Sequence, residues 1–240
     1  MTCSLGDSTW TSIGTAPFVL VPVGSTEQHG PHLPLDTDTT IAVAVAEAAA
    51  SRLDGSVLVA PPVSYGSSGE HQSFSGTSSI GNDVLRILLI ELVRSMSTWA
   101  GRIVFVNAHG GNTSALAGAV ARMIDEGHDV AWVPCATESV DLHAGLTETS
   151  LMLHIRPGSV LLDRAEVGDL RPLEEILPLM RAGGVGAVSG NGVLGDPRGA
   201  SAGHGAVLLA GIVDDVVDRI AHGSADRHGL LLARSVLASP

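Results

Sequence analysis

The amino-acid sequence predicts an α/β protein whose core is a mostly parallel sheet wrapped by helices. Short apolar runs alternate with longer segments of helical periodicity, the pattern of repeated strand and helix units. Hydrophobic residues make up 45% of the chain and aromatics only 3%, so the core must be built from Ala, Val, Leu and Ile. Such residues suit a sheet covered on both faces. At 240 residues the chain is expected to form one domain spanning 1–240.

Each element has its own signal. Phe18 to Val23 reads as a buried strand, and Thr39 to Leu53 as an Ala-rich helix entered from a loop. Ser56 to Ala60 is a second strand, stopped by Pro61 and Pro62. Asn82 to Trp99 is an amphipathic helix, and Arg102 to Val106 a third strand that stops at Asn107. Asn112 to Glu126 reads as helix and Asp129 to Val133 as strand. A short helix is expected from Glu148 to His154, closed by Pro157, and a final one from Ala206 to Ala221. Between them, Ala182 to Gly205 is Gly-rich and weakly periodic, so it is expected to be a long ordered loop or lid. The tail from Asp226 to Pro240 carries no clear signal.

Composition excludes several functions. The net charge is −12, and all thirteen cationic residues are Arg, scattered singly. Nucleic acid and anionic membranes are therefore poor partners. Without a single Lys, Schiff-base chemistry and Lys-dependent phosphate loops are ruled out. Cys3 and Cys135 lack metal spacing and read as ordinary thiols of a reducing compartment. No leader pattern or membrane-length apolar run occurs, so a cytoplasmic location is expected.

Three clusters carry the chemistry. The first, directly after the first strand, offers Glu27, His29, His32, Asp36 and Asp38 within a loop that Gly30, Pro31 and Pro34 keep from being helical. A plain polar loop is the alternative, and three carboxylates with two imidazoles weigh against it. The second, Asn107-Ala-His109-Gly-Gly-Asn112, also follows a strand, and Asn112 can cap the next helix. Loops at strand C-terminal ends are where open α/β sheets build sites, so these two clusters are expected to meet. The third, His143-Ala-Gly-Leu-Thr-Glu148-Thr-Ser150, places Glu148 near a helix start, where the dipole alone could explain an acid. Carboxylates and imidazoles without Cys suit Zn²⁺, Mn²⁺ or Fe²⁺. Two such ions sharing a carboxylate are suited to hydrolysis. A metal-binding scaffold without catalysis is the non-enzyme alternative. A Ser or Cys hydrolase is disfavoured, because no Gly-x-Ser-x-Gly elbow is present.

At the stretch Glu27-Gln-His-Gly-Pro-His-Leu-Pro-Leu ending in Asp38, at Asn-x-His-Gly-Gly-Asn and at His-Ala-Gly-x-x-Glu-Thr-Ser, the chain resembles the creatininase family of metal-dependent amidohydrolases. The resemblance covers most of the length. It implies a three-layer α/β/α sandwich, two divalent metal ions per subunit and a homo-oligomer, often a hexamer. It also implies that Glu27, Asp38 and His109 hold one metal, while His29 and a bridging Asp38 hold the other. His32, Asp36, Asn107 and Asn112 would support these ligands from behind. Creatininase proper carries a carboxylate two residues after the second-motif histidine, and this chain has Gly111 there. Glu148 is the expected substitute, with His143 or Glu148 as the catalytic proton carrier. Gly203 is a further departure, since relatives often place Glu before a Gly in that stretch.

Ser68-Gly-Glu-His-Gln72 and Gly192-Val-Leu-Gly-Asp-Pro197 resemble a peptidase branch of the family. That branch implies cleavage of a modified precursor peptide near its C-terminus by water activated at a dinuclear metal centre. Hydrolysis of creatinine or deformylation of a formamidopyrimidine, both small amides, is the alternative. Glu70 and His71 are expected at the site's rim, touching substrate or orienting ligands, with a solvated loop pair equally open. Arg198 could fork onto a substrate carboxylate, although a surface Arg is the plainer reading.

Overall fold

The computed structural model describes residues 3–135 and 141–233; residues 234–240 of the tail lie outside it. Five strands form a parallel sheet: β1 (Cys3–Ser4), β2 (Phe18–Val23), β3 (Val57–Val59), β4 (Arg102–Asn107) and β5 (Val130–Pro134), in the order β1-β3-β2-β4-β5. Around it lie α1 (Thr37–Ala50), α2 (Gly81–Met96), α3 (Thr113–Asp125), α4 (Leu146–Ile155), α5 (Leu173–Gly183) and α6 (Ala202–His222). A small antiparallel pair, β6 (Ser224–Ala225) and β7 (Leu231–Leu232), follows α6.

Alternation along the strands separates two apolar layers. Leu20, Val104, Val106 and Val133 pack on α1, α4 and α6 through Ile41, Val45, Leu151, Val213 and Val216. Their neighbours Val19, Val21, Phe105 and Trp132 point the other way, onto Leu85 and Leu89 of α2 and Leu116 and Val120 of α3. The result is the expected three-layer α/β/α sandwich. Each of the fully buried Leu and Phe side chains contributes roughly 1.5–3 kcal/mol of burial.

The chain passes from β2 outward to β3, then crosses back to β4 on the other side of β2. This reversal opens the sheet's C-terminal edge next to β2. Val23 and Asn107 are paired in register, so the loops carrying Glu27 and His109 leave the same edge side by side.

Three expectations need correction. The Gly-rich stretch is shorter than its composition suggests, because α5 ends inside it and α6 begins at Ala202. Pro178 interrupts the helical signal of α5, which is anchored by buried Ile176 against Val185 and Leu194. Gly203 and Gly205 suggest a loop but lie in the first turn of α6, where the Ser201 hydroxyl accepts from the His204 N–H. Gly205 is needed there, because a Cβ would overlap the Ser150 carbonyl of α4. Finally, Asn112 does not cap α3 with its side chain. Its Oδ1 instead accepts from Ser67 N, and its Nδ2 donates to the Gly24 carbonyl, tying three loops together.

Candidate metal centre

The loop after β2 folds back on itself, with His29 bridged to Pro31 and Leu33, and delivers Asp38 on the first turn of α1. His109 enters from the end of β4, Glu148 from the first turn of α4, and His143 from the segment just before α4. Glu27, His29, Asp38, His109 and His143 are all buried. Asp38 sits between two imidazoles: Oδ1 is 3.1 Å from His29 Nε2 and Oδ2 is 3.2 Å from His109 Nδ1. Ser25 Oγ donates to Oδ2 at 2.8 Å and fixes the carboxylate plane. Glu27 Oε2 lies 3.2 Å from His109 Nε2, and Glu148 Oε2 lies 3.8 Å from His29 Nε2.

Three imidazoles are held in the same way. His29 Nδ1 faces the Glu27 carbonyl at 3.2 Å, His109 Nε2 the Ser67 carbonyl at 2.9 Å, and His143 Nε2 the Gln28 carbonyl at 2.8 Å. A carbonyl only accepts, so each ring donates on that side. Its other nitrogen, turned toward the carboxylates, is left bare in the neutral ring. Metal-ligating histidines are oriented in this manner.

The electrostatics describe a pocket short of positive charge. Burial pushes Glu27 up to about 7, helped by the Asp38 charge. Burial likewise lifts Glu148 to about 7. For His29, burial opposes charging, but Asp38 and Glu148 overcome it and raise the ring to about 10. His109 also reaches about 10, as Asp38 and Glu27 outweigh its burial. Asp38 is held well below the usual carboxylate range despite burial, by His29 and His109. Burial and the neighbouring His29 and His71 keep His143 well below the ordinary imidazole value, so it is neutral.

These residues fit divalent cations. Both oxygens of Glu27 are buried and accept no hydrogen bond from the described residues. A carboxylate so placed needs a cationic partner. Glu27, Asp38 and His109 can present ligand atoms within 4.8 Å of one another, as can His29, His143 and Glu148. Glu148 is further set by Ala144, whose left-handed backbone (φ 54) aims its N–H at Oε2, 2.6 Å away.

The remaining candidates are placed as follows. His32 Nε2 meets Thr149 Oγ1 at 2.8 Å, bracing α4 behind Glu148, and burial pushes this imidazole down to about 4. Asp36 forks with Arg156, which follows α4, so the first-motif loop grips both ends of that helix. Asn107 Nδ2 donates to the His109 carbonyl and its Oδ1 accepts from the His109 N–H. Glu70 stays at the rim, one-third exposed and 4.0 Å from His109 Nε2. Its neighbour His71 does not: it is buried, with Nε2 3.4 Å from Glu27 Oε1. Arg198 is exposed and already forked onto Asp196. The Cys135 thiol is pushed up by burial and by Asp38, which leaves it a poor nucleophile.

Gly111 leaves no space for the carboxylate that the resemblance to creatininase would place there. A Cβ there would overlap the Ser67 carbonyl and His109 Nε2, and would stand 3.0 Å from Glu70 Oε1. Sequence reasoning overlooked Gln28, although it lies between two candidate ligands in the first motif. A cavity of about 180 Å³ opens beside His143 and Glu148, walled by Ile41, Ala108, Leu151 and Ile212. Among the described residues, no helix is long and apolar enough to cross a membrane.

Comparison with known proteins agrees with this geometry. The profile of the family described as "Creatininase: Creatinine amidohydrolase" matches residues 6–220. The chain is 55% identical over 232 residues to the mycofactocin precursor peptide peptidase of Mycolicibacterium smegmatis (strain ATCC 700084 / mc(2)155), covering 95% of this chain and 94% of that protein. It is 54% identical over 235 residues to the protein of the same name from Mycobacterium ulcerans (strain Agy99), with 95% and 94% covered. A solved structure described as "Creatininase Mn" superposes with a TM-score of 0.74 at 25% identity, covering 92% of this chain and 98% of its own. Fold, site and relatives together define a hydrolase of amide bonds. The chain belongs to the creatininase family.

Proposed function

We propose that this hydrolase is a metal-dependent peptidase that cleaves a modified mycofactocin precursor peptide near its C-terminus. The observation that carries the metal-dependent reading is the buried Glu27 carboxylate, which accepts no hydrogen bond at either oxygen and lies beside His109 and Asp38 in a group able to hold a cation. The substrate class rests on the two peptidases that are more than half identical to this chain across nearly all of its length.

Glu27, Asp38 and His109 would hold one cation, and His29, Asp38 and Glu148 the second. Zinc, manganese and iron all suit these donors. Bound there, such ions polarise a carbonyl and acidify water. The protein supplies the rest. Asp38 is shared by both ligand sets, and the Ser25 hydroxyl keeps it from rotating. His143 has Nε2 occupied by the Gln28 carbonyl, so Nδ1 takes up a proton and passes it to the departing nitrogen. Glu148, raised to about 7 by burial in the metal-free fold, is the other candidate for moving that proton. The cavity beside both residues, where Ile41, Leu151 and Ile212 face Asp141 and Thr147, gives the substrate a place of mixed polarity from which to approach them.

Mass spectrometry of the modified precursor peptide before and after incubation with metal-loaded protein tests this reading. Loss of a C-terminal fragment is expected. An intact peptide, together with turnover of creatinine or of a formamidopyrimidine, would replace the peptidase reading with that of a small-amide hydrolase.

A further inference from the structure

The fourth buried imidazole of the centre is wired in the opposite sense to the other three. His71 offers Nδ1 not to a carbonyl but to the side-chain amide of Gln28, whose Nε2 is 2.8 Å away. The orientation of that amide is fixed by its other partners. Gln28 Oε1 accepts from the Gly30 N–H at 2.8 Å, and Nε2 donates to the Gly192 carbonyl at 3.0 Å. Flipping the amide would set a donor against the Gly30 N–H and an acceptor against the Gly192 carbonyl. His143 Nε2, 3.1 Å from the same amide nitrogen, is already committed as donor to the Gln28 carbonyl. The second amide proton therefore goes to His71 Nδ1. A neutral ring that accepts at Nδ1 carries its own proton on Nε2, the nitrogen 3.4 Å from Glu27 Oε1.

We infer that Gln28 is a positioning residue that sets the His71 tautomer, so that His71 turns a protonated nitrogen toward Glu27 rather than serving as a metal ligand. Glu27, His71 and His143 cluster closely enough to suggest a third cation position. The proton on Nε2 closes that position, because a protonated nitrogen has no lone pair to give. That N–H lies 3.4 Å from Glu27 Oε1, while Oε2 faces His109. Gly192 is part of the same device. It adopts φ +80, and a Cβ there would overlap Gln28 Oε1, so only glycine lets the amide reach its place. The link also fastens the segment before α6 to the centre, where Leu194 pairs with the backbone of His143.

The role assigned to Glu27 rests on the proposed metal site, but the tautomer does not, and the two can be tested apart. Nitrogen-15 spectra of histidine-labelled, zinc-loaded protein distinguish bare from protonated ring nitrogens, with His71 assigned by its loss in His71→Gln. A bare Nδ1 and a protonated Nε2 are expected at His71, whether or not the protein cleaves any peptide. In Gln28→Glu the carboxylate accepts instead of donating, and the His71 proton should move to Nδ1. Peptide turnover should then fall about 10- to 100-fold with KM little changed, as for other residues that orient a ligand. If Gln28→Glu does not fold, the wild-type spectrum alone decides. A wild-type His71 protonated on Nδ1, or bound to zinc through Nε2, overturns the inference.

Discussion

A single methyl group at position 111 should weaken cation binding although it replaces no proposed ligand. Gly111→Ala places a Cβ inside the 3.0 Å that such atoms keep from their neighbours, against both the Ser67 carbonyl oxygen and His109 Nε2. These two atoms are hydrogen-bonded to each other at 2.9 Å, and that bond turns His109 Nδ1 toward Asp38. Neither can retreat freely: Ser67 is pinned through its N–H by Asn112 Oδ1, and the His109 backbone is bracketed by Asn107. The methyl group therefore acts on the bond between them. Leaving a buried donor without its acceptor costs about 1–3 kcal/mol. At about 1.4 kcal/mol per factor of ten, cation affinity should fall by roughly 5- to 150-fold if the whole cost falls on the His109 orientation. Competition titration of zinc against a chromophoric chelator measures it, with circular dichroism confirming that the variant is folded. Gly111→Glu should fare no better, although it restores the carboxylate of creatininase proper. A folded Gly111→Ala protein with wild-type affinity would refute this account of why glycine stands there.

Two further outcomes follow from the same cluster. Asp38→Ala removes the carboxylate proposed to serve both cations, so metal content by elemental analysis and peptide turnover should be lost together; a variant that keeps two ions and full turnover would end the proposed bridging role. The pH response has a defined sign. His29 and His109 are raised to about 10 in the metal-free fold from an ordinary value of 6.5, so the stability they contribute is complete below about 6.5 and is lost as pH climbs through 10. Glu27 and Glu148, raised to about 7, act in the same direction between 4.5 and 7. Metal-free protein should therefore melt at progressively lower temperature from pH 7 to pH 10. A bound cation replaces those protons, so calorimetric titration near pH 7.5 in buffers of different ionisation enthalpy should show proton release on binding. A buffer-independent heat would contradict it.

What the sequence revealed was the part of the site that is local. Glu27 and His109 each stand a few residues beyond an apolar run, and in-register pairing of two such runs is enough to bring them together. Asp38 was legible for a similar reason, lying where the loop turns into an Ala-rich helix. The wall behind the ligands was not legible, because its contacts join positions far apart. Asp36 reaches Arg156, His32 reaches Thr149 and Gln28 reaches Gly192, and nothing in the neighbourhood of either partner announces the other. His71 shows the limit most clearly. Next to Glu70 in a Gly- and Ser-rich stretch it reads as a rim residue, yet a short 3-10 turn (Gly69–His71) carries it into the interior and leaves Glu70 at the edge.

That division also explains why similar ligand types can be put to different uses at one centre. Four buried imidazoles surround Glu27 and Asp38, and residue identity alone makes them equivalent. Their partners do not. A ring that donates to a carbonyl presents a bare nitrogen to the carboxylates and can take a cation or a proton there. A ring that accepts from an amide presents a proton instead. What separates the proposed ligands and proton carrier from the proposed brace is thus whether the far nitrogen meets a C=O or an N–H. In this chain the Gln28 side chain, held by Gly30 and Gly192, supplies the N–H that sets His71 apart.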